Sequence, residues 1–168
     1  KFLLEKKEIR VIEGEGRFLS TTEVQVGDEV FKPDNILVAT GTVPFELPNL
    51  PIDGERVVDS DQLLDRDSLP KSLVIVGGGV IGCEFATVFA SYGVQVTIVE
   101  LMPQILPPED AEVSQTLTRE FKKRKIKVLT GAKVEKLRHE ADHVVVEVDQ
   151  KGRPLEIETE LVLVSVGR

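Results

Sequence analysis

Residues 73–100 read LVIVGGGVIGCEFATVFASYGVQVTIVE. An apolar run meets three consecutive glycines, a helical pattern follows, and a second apolar run closes on a glutamate. The spacing Gly77-x-Gly79-x-x-Gly82 gains meaning from its place between a strand and a helix of one β-α-β unit. Gly77 permits the tight turn out of the strand, Gly79 lets a pyrophosphate approach the backbone with no Cβ in the way, and Gly82 lets the helix pack close to the sheet. Gly78 adds freedom and is not required by the pattern. The helix then aims unpaired N–H groups and the positive end of its dipole at the phosphates.

Glu100 ends the second strand, near the ~20-residue interval at which an acid accepts hydrogen bonds from the adenosine ribose. A carboxylate there repels a 2′-phosphate, and the following LMPQIL holds no Arg or Lys to offset it. Together these residues predict NAD(H) rather than NADP(H). The helix is expected over roughly 80–92, with Ile81, Phe85, Val88, Phe89 and Tyr92 on one face and Gly93 as its stop. Glu84 falls in its first turn, where an acid suits the dipole whatever its task, so dipole complement and cofactor contact both stay open. Cys83 reads as a small packing residue. His139 and His143 flank a hairpin and lack a third ligand, which argues against a metal.

The 168 residues are 41% hydrophobic and 30% charged, with a net charge of -8. That balance can bury a core and argues against nucleic acid, which rewards clustered Lys and Arg. The one cysteine excludes a disulfide within the chain, and with no signal peptide pattern it points to a reducing cytoplasm. No apolar run nears the ~20 residues that span a bilayer. No repeat or low-complexity segment is present.

Three regions follow along the chain: 1–45, 46–70 and 71–168. The first carries a few helix-compatible positions, the run IRVIEGEGRFLS, and a hairpin signal, EVQVGDEVFK, with Gly27-Asp28 at its turn. NILVATG (35–41) reads as a short buried strand of a parallel sheet, yet residues 1–34 offer it no parallel partners. The second region is a proline-broken connector with a short helix near DQLLDR, capped by Asp59 or Ser60 and ended by Pro70. The third alternates strands and helices, which implies a parallel sheet with right-handed crossovers. A helix over about 110–124 places Val113, Leu117 and Phe121 inward, with acids at its start and KKRK at its end. After IKVLT (126–130), runs at 133–138, 143–149 and 155–159 form an antiparallel meander with Lys151-Gly152 at one turn. LVLVSVG (161–167) returns to the parallel sheet.

VIVGGGVIGCEFATVFASYGVQVTIVE, ILPPED, the closing VSVGR and ILVATGTVP upstream together resemble the flavin-dependent pyridine nucleotide–disulfide oxidoreductases, most closely the dihydrolipoamide dehydrogenases among them. The resemblance implies a Rossmann-type FAD/NAD(P)-binding fold: a parallel sheet with a helix layer and a three-stranded antiparallel meander, preceded by a remnant of an FAD domain. It implies NAD contacts by Gly77, Gly78, Gly79, Val80, Ile81, Gly82, Glu84, Glu100, Val134 and Gly167. Val80 and Ile81 would lie beside the nicotinamide, and Glu84 beside its carboxamide. It implies a partial FAD site at Gly16, Thr40, Gly41 and Thr42. The implied partners are a second copy in a homodimer and the lipoyl domains of 2-oxoacid dehydrogenase complexes.

The family's catalytic Cys-x4-Cys pair and its first FAD glycine loop find no counterpart, and its His–Glu pair would follow Arg168. A first residue of Lys rather than Met fits the same expectation, that this is an internal segment which binds dinucleotide without turnover and cannot hold FAD alone. GVIGCEFA leaves mercuric reductase and soluble transhydrogenase open as relatives. A standalone, non-catalytic NAD-binding module is the alternative from another class. Strand 35–41, without partners, predicts exposed apolar surface and pairing between copies.

Overall fold

The computed structural model describes residues 2–168, in two units that divide after Gly41. The first unit holds a short helix α1 (Phe2–Lys6) and three strands, β1 (Gly16–Ser20), β2 (Glu23–Val26) and β3 (Glu29–Phe31). The strands pair antiparallel in the order β1-β2-β3, with the expected turn at Gly27-Asp28. Arg10 closes over the end of this sheet. Its guanidinium donates to both oxygens of Glu29, at 3.1 and 2.7 Å, and stands 5.4 Å from the centre of the Phe31 ring.

NILVATG does not form the expected strand. Residues 33–41 have no regular structure, and Leu37 is 91% exposed. Apolar character alone does not make a strand; its N–H and C=O groups need a neighbouring ladder, and no strand of this unit offers one. Phe2, Leu3, Phe18 and Val38 are exposed as well, so the expected apolar surface is present.

In the second unit, β-branched residues build a five-stranded parallel sheet of order β4-β11-β5-β6-β7. Its strands are β4 (Val57–Val58), β5 (Ser72–Val76), β6 (Gln95–Glu100), β7 (Lys127–Thr130) and β11 (Leu161–Val164). Successive side chains alternate faces. Leu73 and Ile75 of β5 join Val96 and Ile98 of β6 and Leu161 and Leu163 of β11 in one core. The helices α3 (Val80–Ser91) and α4 (Ala111–Lys123) cover that face with Cys83, Ala86, Phe89 and Phe121. Val74, Val76, Val99, Val162 and Val164 face the other way. There they meet the antiparallel meander of β8 (Ala132–His139), β9 (Val144–Gln150) and β10 (Arg153–Thr159).

The two-residue strand β4 was not expected in the proline-broken connector. It is fully buried as the sheet's edge beyond β11. Asp59 rather than Ser60 caps the helix that follows, α2 (Ser60–Leu64). Its carboxylate accepts from the amides of Asp61 and Gln62, while the Gln62 side chain accepts from the Asp59 amide. This capping box satisfies donors at both ends of the first turn. The helix stops at Leu64, well before Pro70.

Helix α3 is rotated from the expected face, whereas α4 keeps Leu117 and Phe121 inward and departs only in its first turn. On α3, Gly82, Cys83, Ala86 and Phe89 are buried, whereas Val88 and Tyr92 are exposed. At its N-terminal end small residues face the sheet because the helix lies too close there to admit large ones: a Cβ on Gly82 would collide with the Gly77 carbonyl and touch Ile75. On α4, Phe121 is buried but Val113 is half-exposed, and Ser114 takes the inward position in the first turn. Gly82→Ala is therefore expected to lower the unfolding free energy by at least about 2 kcal/mol, read from urea denaturation.

Candidate functional site

Strand β5 sits at the point where the sheet's connections diverge. Helix α3 carries the chain from β5 to β6 on one side, and β11 returns on β5's other side after the meander. Ligands of open α/β sheets bind in the crevice beyond the carboxyl ends of strands at such a switch point. A cleft of about 600 Å³ lies there, lined by the turn after β5, the end of β6, the start of β8 and the segment after β11.

The turn is fixed by backbone. Gly77 donates to the Val99 carbonyl at 2.9 Å and adopts φ +108°, and a side chain there would strike the Ser165 carbonyl. Ser165 braces the other side: its amide donates to Val76 O at 2.8 Å, and its hydroxyl reaches the carbonyls of Val76 and Gly77, each at 3.2 Å. Gly79 is the N-cap of α3 and gives no side-chain cap. The first amides of the helix have no partner within it, and an added Cβ at Gly79 would meet nothing within 4 Å. The cleft side of this helix end is thus bare backbone facing open space, a cradle that suits a diphosphate.

Gly78 has a requirement the spacing does not reveal. A Cβ there would press on Ile105 and on the Glu100 side chain, so its expected dispensability is corrected. The Gly78 amide donates to Glu100 Oε2 at 2.6 Å, and the Met102 amide to Glu100 Oε1 at 2.7 Å. Glu100 is only 7% exposed; charge-assisted bonds of this kind offset the cost of burying a carboxylate. It still lines the cleft, and each carboxylate oxygen has lone-pair capacity for a further donor. The amide of Gly78 is therefore engaged by the protein itself, and the residues that follow it at the α3 N-terminus, Gly79 to Ile81, line the cleft.

Seven of the ten expected NAD contacts line the cleft together: Gly77, Gly79, Val80, Ile81, Glu100, Val134 and Gly167. Gly78 and Gly82 stand behind it, packed against Ile105 and Ile75. Glu84 is the fifth helical residue rather than part of the first turn, and it is exposed. It follows Val80 by one turn and so shares its side of the helix. Gly16, Thr40 and Gly41 belong to the other unit. Thr42 is not in the cleft; Arg168 donates to its hydroxyl and its carbonyl, each at 3.2 Å, while holding Asp61 in two bonds of 2.8 and 3.0 Å. Leu47, Asn49, Met102, Pro107 and Lys133 also line the cleft and went unanticipated, since topology rather than local pattern brings them there.

Cys83 lies directly beneath the glycine turn, its thiol 3.4 Å from the Gly78 carbonyl. Burial, with the negative Glu100 nearby, pushes it up to about 11. Among the described residues no cluster of three His, Cys, Asp or Glu side chains could hold a metal, and no helix is long and apolar enough to cross a membrane.

This architecture is the FAD/NAD(P)-binding disulfide reductase fold. LpdA from Mycobacterium tuberculosis superposes with a TM-score of 0.80 at 30% identity, over 98% of this chain and 38% of that one. The HOCl-induced flavoprotein disulfide reductase RclA from Escherichia coli gives 0.72 at 29%, over 99% and 40%. The sequence pattern of the pyridine nucleotide-disulphide oxidoreductases matches residues 1–168, and the chain belongs to that family. A dihydrolipoyl dehydrogenase of Mycobacterium leprae is 40% identical over 99% of this chain and 37% of its own length. One from Bacillus subtilis is 36% identical over 100% and 37%. The chain thus spans a little over a third of the curated relatives it matches.

With its thiol buried and its acidity suppressed, Cys83 is expected to carry about one thiolate per several thousand molecules at pH 7.5. A water-soluble disulfide reagent should label it only after denaturation; rapid native labelling would contradict its packing role.

Proposed function

We propose that the second unit binds NAD(H). The diphosphate rests on the amides of Gly79, Val80 and Ile81 at the start of α3, and the adenosine ribose on Glu100. The nicotinamide lies beside Val80 and Ile81, with the Glu84 carboxylate one turn further along the same side. Val134 and Gly167 complete the walls. The observation that carries this reading is the combination at one cleft of an uncapped helix N-terminus, a glycine whose absent Cβ leaves open space, and a buried carboxylate at the end of the neighbouring strand.

In the longer enzyme to which such a segment belongs, FAD supplies the hydride chemistry that links dihydrolipoamide, through an active-site disulfide, to NAD+. The chain's own residues bind and orient the dinucleotide. Its single cysteine cannot form that disulfide, so the segment itself carries no turnover. Gly16, Thr40, Gly41 and Thr42 are assigned to one edge of the FAD site. A cytoplasmic setting, a homodimer and docking to lipoyl domains of a 2-oxoacid dehydrogenase complex belong to the same proposal, supported by the identity to dihydrolipoyl dehydrogenases.

Gly79→Ala separates binding from folding. Its φ of -72° is open to any residue, and the new methyl group meets no protein atom. Calorimetric titration should show NADH affinity reduced at least ~tenfold, about 1.4 kcal/mol, while the urea midpoint stays within error of the parent. Unchanged affinity would place the diphosphate elsewhere.

A further inference from the structure

The cleft is lined by one acid, Glu100, and, among the described residues, by one cation, Lys133. Lys133 is the second residue of β8, in the wall that adjoins the end of β6: Thr130 pairs with Glu100, and the Gly131 amide donates to Met102 O at 2.8 Å. It therefore stands at the Glu100 end of the cleft, where the ribose would lie.

Its charge does not act alone. β8 carries a bulge between Val134 and Lys136, and Glu135 is the extra residue. A bulge re-aims a side chain, and here Glu135 Oε2 lies 2.9 Å from the Lys133 ammonium. Asn49 pins the bulge, its amide donating to the carbonyls of Val134 at 3.3 Å and Glu135 at 3.2 Å. Asp149 sits directly across from Lys133 on β9, on the same face, and its Oδ1 is buried without a hydrogen-bond partner. The cation is thus paired with Glu135, and Asp149 is its neighbour across the strands.

We infer that Lys133 sets how this cleft treats a 2′-phosphate, and that Glu135 and Asp149 neutralise it so that NADH is preferred to NADPH. The inference rests on the cleft being the NAD(H) site. Glu100 alone is an incomplete barrier, because two backbone donors already offset its charge. Exclusion of the phosphate then needs Lys133 to be kept from pairing with it. Removing these two acids frees the ammonium for the phosphate.

The test is calorimetric titration of the 168-residue chain with NADH and with NADPH. In Glu135→Gln, the NADPH-to-NADH affinity ratio should rise ~fivefold, the scale of one exposed ion pair. It should rise further in the double variant with Asp149→Asn, and return to the parent value when Lys133→Gln is added to Glu135→Gln. If the parent binds NADH but the ratio is unchanged in both the single and the double acid variants, the role of Lys133 is overturned and the cleft assignment stands. If the parent binds neither dinucleotide, both fall.

Discussion

A buried carboxylate holds the working end of this fold together. Glu100 closes β6 and accepts from the Gly78 amide on one oxygen and the Met102 amide on the other. These two bonds tie the glycine turn after β5 to the loop after β6. A third, from the Leu106 amide to the Gly78 carbonyl at 2.7 Å, draws the same loop back over the turn. A carboxylate 7% exposed is tolerable only with such partners, so the turn, the strand end and the loop are mutually fixed. Gly79, Val80 and Ile81, at the start of α3, are left lining the cleft.

Close packing on the opposite side makes that arrangement possible. Gly82 brings α3 within backbone contact distance of the turn, and Ser165 fills the gap between β5 and β11, its amide donating to the Val76 carbonyl and its one hydroxyl proton lying within reach of the carbonyls of Val76 and Gly77. The meander seals the other face of the sheet through Val144, Val146 and Val148 and brings β8 to the cleft. One sheet thereby has a helix layer that supplies bare amides and a strand layer that supplies Val134 and Lys133. The same sheet gives the site its rigidity: every residue of β11 is buried.

The β-α-β-α-β order, the glycine turn and the meander were legible because each depends on local spacing. The inward face of α3 was not. Ile81, Val88 and Tyr92 make an apolar stripe as regular as that of Gly82, Ala86 and Phe89, and the close approach of α3 to the sheet at Gly82 selects the second. Residues 35–41 depart from the expected strand for the converse reason, since their apolar run has no ladder to join. The need for glycine at 78 arises from Ile105 and Glu100, both far along the chain. Asn49, Met102 and Lys133 reach the cleft through tertiary connections that no motif around them announces. Glu100 was readable in position, but its two backbone bonds were not.

Seating of a diphosphate on the amides at the start of α3 can be followed by amide NMR of the 15N-labelled chain during titration with NAD+. The largest shifts are expected at Gly79, Val80 and Ile81, with accompanying changes at Val134 and Gly167. Saturating NAD+ that leaves the amides of residues 79–81 unmoved, or moves only residues outside the cleft, would contradict it.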